Sequence, residues 1–442
     1  MNLGADLPIW TVLPFAGLLL AIAMLPLIVP SFWEKHHGKG FVGALFSAPV
    51  VLYLLGAHGA EGARVLVEKA AEYTSFILLL GSLYVISGGI LVRGSLSGTP
   101  LLNTALLGLG ALLASVIGTT GASALLIRPL LRANAPRVRK SHIVVFFIFV
   151  VSNCGGLLTP LGDPPLFLGF LAGVPFAWTL RLLPVWLVVN GLLLVSFNVW
   201  DQLVFDREEA DRPGSQLEEV MQHEPLRIEG LLNVGFLLAI IAVIAAAGHG
   251  LGAGGRPWPF GVQEASMLAI CALSYASTPA ALRRENGFGF GPIIEVAVVF
   301  AGIFITMAPA LLLLNARAAS LGIREPWQFF WAAGALSSFL DNAPTYLTFA
   351  ATASGLYGVA LEGRYLAAFL ARGHPAAELL TAISAGAVMM GANSYIGNGP
   401  NFMVKAIAEG TGVAMPSFFR YMLYSGGVLI PIFVLVTFLF FR

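Results

Sequence analysis

Two aspartates stand alone in stretches otherwise free of charge. Asp163, in "GLLTPLGDPPLFLGF" (156–170), is the only charged residue from Ile143 to Leu180, and Asp341, in "LDNAPT" (340–345), is the only charge among the 36 residues between Glu325 and Glu362. Side chains with hard oxygens gather around them in sequence. Thr159 precedes Asp163, Asn342 and Thr345 follow Asp341, and Asn393, Ser394 and Asn398 punctuate "GANSYIGNGPN" (391–401). Thr119 and Thr120 sit in "GTTGAS" (118–123), and Asn153 lies one to two helical turns before the Asp163 break. Carboxylate, amide, hydroxyl and freed carbonyl oxygens are the ligands a hard cation favours, so sodium at Asp163, Asp341, Asn342 and Asn398 is the chemistry these residues imply. A carboxylate that accepts either a proton or a sodium ion can exchange one for the other. A structural reading stands beside this one. An aspartate ahead of Pro164 and Pro165 is placed to cap the start of a half-helix, its carboxylate accepting backbone N–H groups.

Those residues need elements that hold polar groups inside an apolar chain. The protein has 442 residues, 57% of them hydrophobic and 11% charged. Its mean hydropathy is +0.84. That composition belongs to an integral membrane protein, not to a soluble domain. A net charge of +1 offers no case for nucleic acid, and seven histidines and two cysteines, Cys154 and Cys271, show no zinc or redox spacing. No nucleophile–base signature speaks for an enzyme, and no cofactor is expected beyond sodium or protons as coupling ions. The first apolar segment lacks a basic n-region and a small-residue cleavage site, and reads as a retained span.

Apolar runs long enough to cross a bilayer fall near 9–30, 41–58, 74–92, 182–200, 230–249, 262–279, 292–314 and 420–441. Segments 93–128 and 325–362 are too long for one span and too short for two, which predicts hairpins that enter the membrane and return. Segments 143–180 and 379–404 are apolar runs interrupted by Gly, Pro, Asn and Ser, which predicts crossing helices broken in the middle. Non-helical backbone at membrane depth is tolerated only where protein or a wet cavity satisfies it, so the four interruptions imply one buried polar site. Asn190, Asn233 and Gln263 read as interhelical hydrogen-bonding residues, Glu295 as an interfacial charge, and Gly108 and Gly110 as points of close helix packing.

The halves repeat. A shift of 235 residues sets "GLLTPLGDPPLF" (156–167) on "GANSYIGNGPNF" (391–402), pairing Gly156 with Gly391, Thr159 with Ser394, Gly162 with Gly397 and Asp163 with Asn398. A weaker match at a shift of 223 sets "SVIGTTGASALL" (115–126) on "SFLDNAPTYLTF" (338–349). The fold expected is an all-α polytopic membrane protein of two inverted-topology repeats, 1–200 and 229–442, joined by a polar cytoplasmic linker at 201–228. It has about ten crossing helices, two re-entrant hairpins and two broken helices. Loops assigned to one side hold 12 Lys/Arg against 9 on the other, which makes the richer side cytoplasmic and places both termini outside. Inverted repeats of this kind are the architecture of many secondary transporters.

"SNCGGLLTPLGDPP" (152–165), "LDNAPT" (340–345) and "GANSYIGNGPN" (391–401) resemble the ion transporter superfamily, which contains NhaD-type sodium/proton antiporters, arsenite permeases and citrate or dicarboxylate transporters. The resemblance spans both halves. It implies a scaffold part and a transport part, opposed hairpins, a homodimer, and a site at 118–123, 159–165, 341–345 and 393–398, and the location expected for such a transporter is the cell's inner membrane. Asp163 with the Asp341–Asn342 pair resembles the sodium/proton antiporters. "GGLLTPLGDPP" is also similar to the carboxylate branch, although the Ser-Asn-Thr hairpin tips of that branch are replaced here. Two acidic groups without a Lys or Arg in the expected core favour a cation, so sodium/proton antiport is the first reading. Sodium- or proton-coupled transport of citrate or another dicarboxylate is the alternative, and a passive ion channel a third.

Overall fold

The computed structural model describes residues 3–33, 35–93, 97–211, 227–252 and 258–442. After short turns at Leu3–Asp6 and Ile9–Val12, the first long helices are α1 (Leu13–Ile28) and α2 (His36–Ser87). The spans expected at 41–58 and 74–92 are parts of α2, which folds sharply at Gly59 (φ 52°, ψ −121°). Only glycine adopts that backbone without steric cost, so the two spans join directly with no loop.

The first hairpin is α3 (Pro100–Ile117) and α4 (Thr119–Ala133), turning on Gly118 (φ 83°, ψ 150°). It ends five residues beyond the expected limit of 128. Next come α5 (Ser141–Val150), an irregular break, α6 (Pro164–Leu171) and the long α7 (Leu183–Asp211). In the second half α8 (Leu232–His249), α9 (Val262–Ser277) and α10 (Gly291–Ala316) precede a hairpin of α11 (Pro326–Ser337) and α12 (Asn342–Leu356). The second broken helix is α13 (His374–Met390) and α14 (Gly399–Gly410), followed by α15 (Phe418–Phe440).

The chain is an all-α polytopic membrane protein, and its element order repeats between halves as the sequence matches indicate. One exception to the all-helical expectation is an antiparallel pair, β1 (Leu91–Arg93) and β2 (Arg227–Glu229), with Val92 opposite Ile228. The polar connector expected over 201–228 is described only at its ends. Residues 201–211 complete α7, and 212–226 lie outside the described residues.

The hairpin arms α4, α11 and α12 have 15, 12 and 15 residues. At 1.5 Å per residue they reach about 18–23 Å, short of the ~30 Å apolar core of a bilayer. They therefore end inside the molecule, where their tips meet the breaks. The broken helices hold the centre: 89% of Ser141–Leu158 and 83% of His374–Asn393 is buried, against 28% of Phe418–Phe440. Residues Ile143 to Val151 are apolar on every face and at most 1% exposed, which suits a helix surrounded by protein.

Packing crosses between the halves. Helix α4 of the first hairpin lies against α14, and α12 of the second lies against α6, while α10 and α9 pack along α2 to form a wall beside them. Gly110 lets α3 approach the first break, since a Cβ there would lie 2.6 Å from Cγ2 of Val151.

Candidate functional site

Each break is held by a matching set of hydrogen bonds. Thr159 Oγ1 donates to Ser115 O (2.5 Å), and its counterpart Ser394 Oγ donates to Ser338 O. The same two hydroxyls accept from Leu161 N (3.1 Å) and Ile396 N (3.3 Å). Ser115 Oγ donates to Gly155 O (2.5 Å), and Ser338 Oγ donates to Met390 O (3.2 Å). Every partner pair conforms to the 235 or 223 shift, so the weak sequence match at Ser115 and Ser338 marks equivalent positions. Gly162 and Gly397 close each loop against Gly156 and Gly391. A Cβ on either would sit 2.0 or 2.5 Å from the facing carbonyl oxygen. Thr159 and Ser394 are thus pins of the loops and do not join the acidic cluster.

Asp163 is the centre of that cluster. Its Oδ1 accepts from Thr119 Oγ1 (2.8 Å) and Asn398 Nδ2 (3.3 Å), and its Oδ2 accepts from Asn342 Nδ2. These donors come from the first hairpin tip, the second break and the second hairpin tip. The capping role weighed for Asp163 is not what the structure shows, since its carboxylate bonds no backbone N–H of α6. The reason lies in the next three residues: Pro164 and Pro165 carry no N–H, and Leu166 N–H donates to Asp163 O (3.1 Å), so the carboxylate turns toward side chains.

Asp341 differs. Its Oδ1 accepts from Ala343 N (3.0 Å), capping α12, and its side chain lines a cavity of about 90 Å³. Thr119, Thr120, Asn398, Gly399 and Pro164 also line that cavity, whose opposite wall is Tyr84 of α2 with Pro292 and Ile293 of α10. Thr345 Oγ1 is spent on Asp341 O (2.9 Å) inside its own helix. Asn393 Nδ2 donates to Ser338 Oγ (2.9 Å). Asn153 Nδ2 donates to Ile148 O (2.8 Å) and Asn401 Oδ1 (2.7 Å), and its own Oδ1 accepts from Asn398 (3.3 Å). The structure therefore brings Asp163, Thr119, Asn342 and Asn398 together, with Asp341 and Thr120 on the adjoining cavity and Asn153 one residue behind. It keeps Thr159, Thr345, Asn393 and Ser394 in supporting bonds.

The carbonyls freed by the breaks were expected as cation ligands, and most have another partner. Cys154 O accepts from Asn190 (3.3 Å), Gly155 O from Trp186 (3.0 Å), Leu158 O from Thr179 (2.9 Å), Ala392 O from Tyr421 (2.8 Å) and Asn393 O from Ser425 (2.8 Å). Broken backbone at this depth is stable because those donors satisfy it. Three amide oxygens stand out instead: Asn190 Oδ1, Asn342 Oδ1 and Asn393 Oδ1 are buried with no hydrogen-bond partner among the described residues. Asn401 was missed from sequence. Fully buried, it donates to Gly391 O and Ser394 O (both 2.9 Å) and accepts from Asn153, tying the two breaks together. Its signal was a polar residue inside the aligned stretch where the first half has Leu166.

Among the remaining polar residues, Asn233 Nδ2 donates across helices to Gly89 O (3.0 Å), as expected, whereas Gln263 Nε2 is buried without a partner among the described residues. Glu295 is half-exposed and pairs with buried Lys39 at 2.6 Å.

Four helices, α4, α6, α12 and α14, begin at this site. Each N-terminus carries a partial positive charge of roughly half an elementary unit. The site thus combines two carboxylates with four positive dipole ends, which suits a cation and an anion held side by side.

The sequence profile of a family described as "Putative citrate transport" matches residues 4–441. The chain belongs to that family, and it is a multi-pass membrane transporter of the citrate and ion transporter type. Comparison with curated proteins found no match.

Proposed function

We propose that the chain carries citrate or a closely related carboxylate, coupled to sodium ions or protons. The Asp163 cluster is the coupling-ion site, and the cavity beside Asp341 receives the carboxylate. Family membership moves the reading from sodium/proton exchange, which the two aspartates alone favoured, to coupled carboxylate transport. The observation that carries the coupling is the set of donors on Asp163. Thr119, Asn342 and Asn398 bring both hairpin tips and the second break onto one carboxylate, so an ion bound there is felt by all three.

Charge sets the order of events. An anion approaching two carboxylates is repelled until a cation or proton neutralises them, so the coupling ion binds first. Asn342 Oδ1, buried beside Asp163 with no partner among the described residues, adds a hard oxygen to that site. The four helix N-termini then favour the carboxylate groups.

In this reading the halves are inverted repeats of the inner membrane, divided at 1–200 and 229–442, with both termini outside and the protein a homodimer. The exchange of contacts between halves, α4 on α14 and α12 on α6, supports opposed hairpins.

The test uses proteoliposomes with a preformed proton gradient reported by a pH-sensitive dye. Uptake of labelled citrate is expected to need a sodium or proton gradient, and sodium alone is expected to leave the dye signal unchanged. Dissipation of the proton gradient by sodium without citrate would establish exchange in its place. That second reading keeps one observation in its favour: among the described residues no Lys or Arg lines the Asp341 cavity.

A further inference from the structure

A second cavity, of about 230 Å³, lies further along the same helix as the first. Its walls include Arg93, Arg128, Arg132, Glu285 and Asn286. Both cavities follow one stripe of α4. Thr120 and Gly121 line the first, and Leu125, Arg128, Pro129 and Arg132 line the second, a spacing of three and four residues that keeps them on one helical face. The other walls also continue. Tyr84 of α2 leads to β1, and Pro292 of α10 lies just after Glu285 and Asn286. From Gly121 to Arg128 the rise is about 10 Å along the axis.

The second cavity is cationic where the first is acidic. Arg128 is half-buried, and its Nη1 donates to Asn286 O (2.9 Å). Among the described residues no carboxylate pairs with it. Arg93 is paired with Glu229 (2.8 Å) and Glu285 (2.6 Å), both half-exposed, so those carboxylates can be exchanged for another anion at little cost. Arg132 donates to Val92 O (2.7 Å) and stands exposed at the outer end. A cavity this large has room for several waters or a small polycarboxylate. Planar guanidinium groups bind carboxylates through paired N–H bonds.

The geometry points to a vestibule for multiply charged carboxylates at Arg93 and Arg128, which concentrates the anion before it passes along α4 to the Asp341 cavity. It rests on the carboxylate reading above and supplies the cationic group that the inner site lacks. The arginines lie on the side that the Lys/Arg excess marks as cytoplasmic. Charged clefts of this kind raise the local concentration and arrival rate of an oppositely charged ligand, and lose that effect with salt.

Calorimetric titration of citrate into the purified full chain in uncharged detergent, at low and high choline chloride, tests it. Arg128→Gln is expected to weaken binding about tenfold and to remove most of the salt dependence, with Arg128→Lys recovering part. Arg93→Gln, at an exposed position, is expected to act the same way more weakly and covers the case in which Arg128→Gln does not fold. Unchanged citrate affinity and salt dependence in both arginine variants would overturn the vestibule and leave the proposed function standing. Binding of short-chain phosphatidylglycerol but not citrate would assign the arginines to lipid headgroups, and also overturn it. Arginine-dependent citrate binding in a protein that transports no citrate would uphold the vestibule and sink the proposed function.

Discussion

The two breaks share a frame and differ in charge. Both have a hydroxyl pin on the hairpin carbonyl, a serine answering from the hairpin, a pair of glycines in contact and a half-helix start with proline. At the centre of the frame the first break places Asp163 and the second Asn398. The asymmetry gives one carboxylate fed by donors from both halves, where symmetry would have placed two carboxylates 3.3 Å apart by the Asn398 contact. Two such groups cannot both ionise, so in the proposed mechanism a single carboxylate with amide partners is the arrangement suited to one ion. The frame is shared by both breaks, and the departure from symmetry lies at the charged centre that the proposed function uses.

The largest effect is expected where the frame itself is broken. Gly162→Ala and Gly397→Ala place a Cβ 2.0 and 2.5 Å from a facing backbone oxygen, and each is expected to cost roughly 3 kcal/mol or more. Thermal unfolding in detergent checks this, and a well-folded alanine variant of one glycine alone would end the equivalence of the breaks. Next in size, Asp163→Asn is expected to lower ion-driven citrate accumulation about a hundredfold or more. Hydrogen bonds to a charged group contribute roughly 1.5–3 kcal/mol each, and about 2.7 kcal/mol is a hundredfold. Accumulation assays under an ion gradient read this directly.

Asn398→Asp restores symmetry and sharpens the comparison further. The two carboxylates then share a proton, so transport is expected to persist at acid pH and decline as pH rises, more steeply than in the unaltered protein. A pH profile parallel to that of the unaltered protein would contradict it. Asp341→Asn removes the charge at the cavity and keeps an N-cap, since asparagine caps about as well as aspartate. Its expected effect is a roughly tenfold rise in the half-saturating concentration of the coupling ion, without loss of fold. Smallest and most symmetrical, Thr159→Val and Ser394→Ala each remove one pin worth about 1 kcal/mol, and equal small drops in unfolding temperature are expected. Unequal drops would show that one break carries more of the frame.

Much of this was legible in the sequence because membrane burial leaves few residues free to be polar. An isolated aspartate in an apolar run must be paid for by local structure. The positions of the hairpins, the breaks and their repeat therefore followed from charge counting and from two alignments. The kink at Gly59 was not legible, because a lone glycine in an apolar run marks either a kink or a close contact. Asn401 was overlooked for a related reason. Its partners Gly391 O, Ser394 O and Asn153 are adjacent only once the two breaks are folded together.

By itself the sequence determined the class of the molecule, the repeated order of its elements and the stretches that meet at the breaks, since hydropathy and residue repeats are local properties of the chain. Which oxygens are available was decided by tertiary structure alone. Two prolines deny Asp163 its backbone donors and leave its carboxylate to three side chains from elsewhere, while Asp341 keeps its cap and faces the cavity. The same applies to the arginines of α4. Their helical spacing is in the sequence, but β1 and the segment before α10 must fold against them to make a cavity, because a binding site depends on which surfaces meet across the chain.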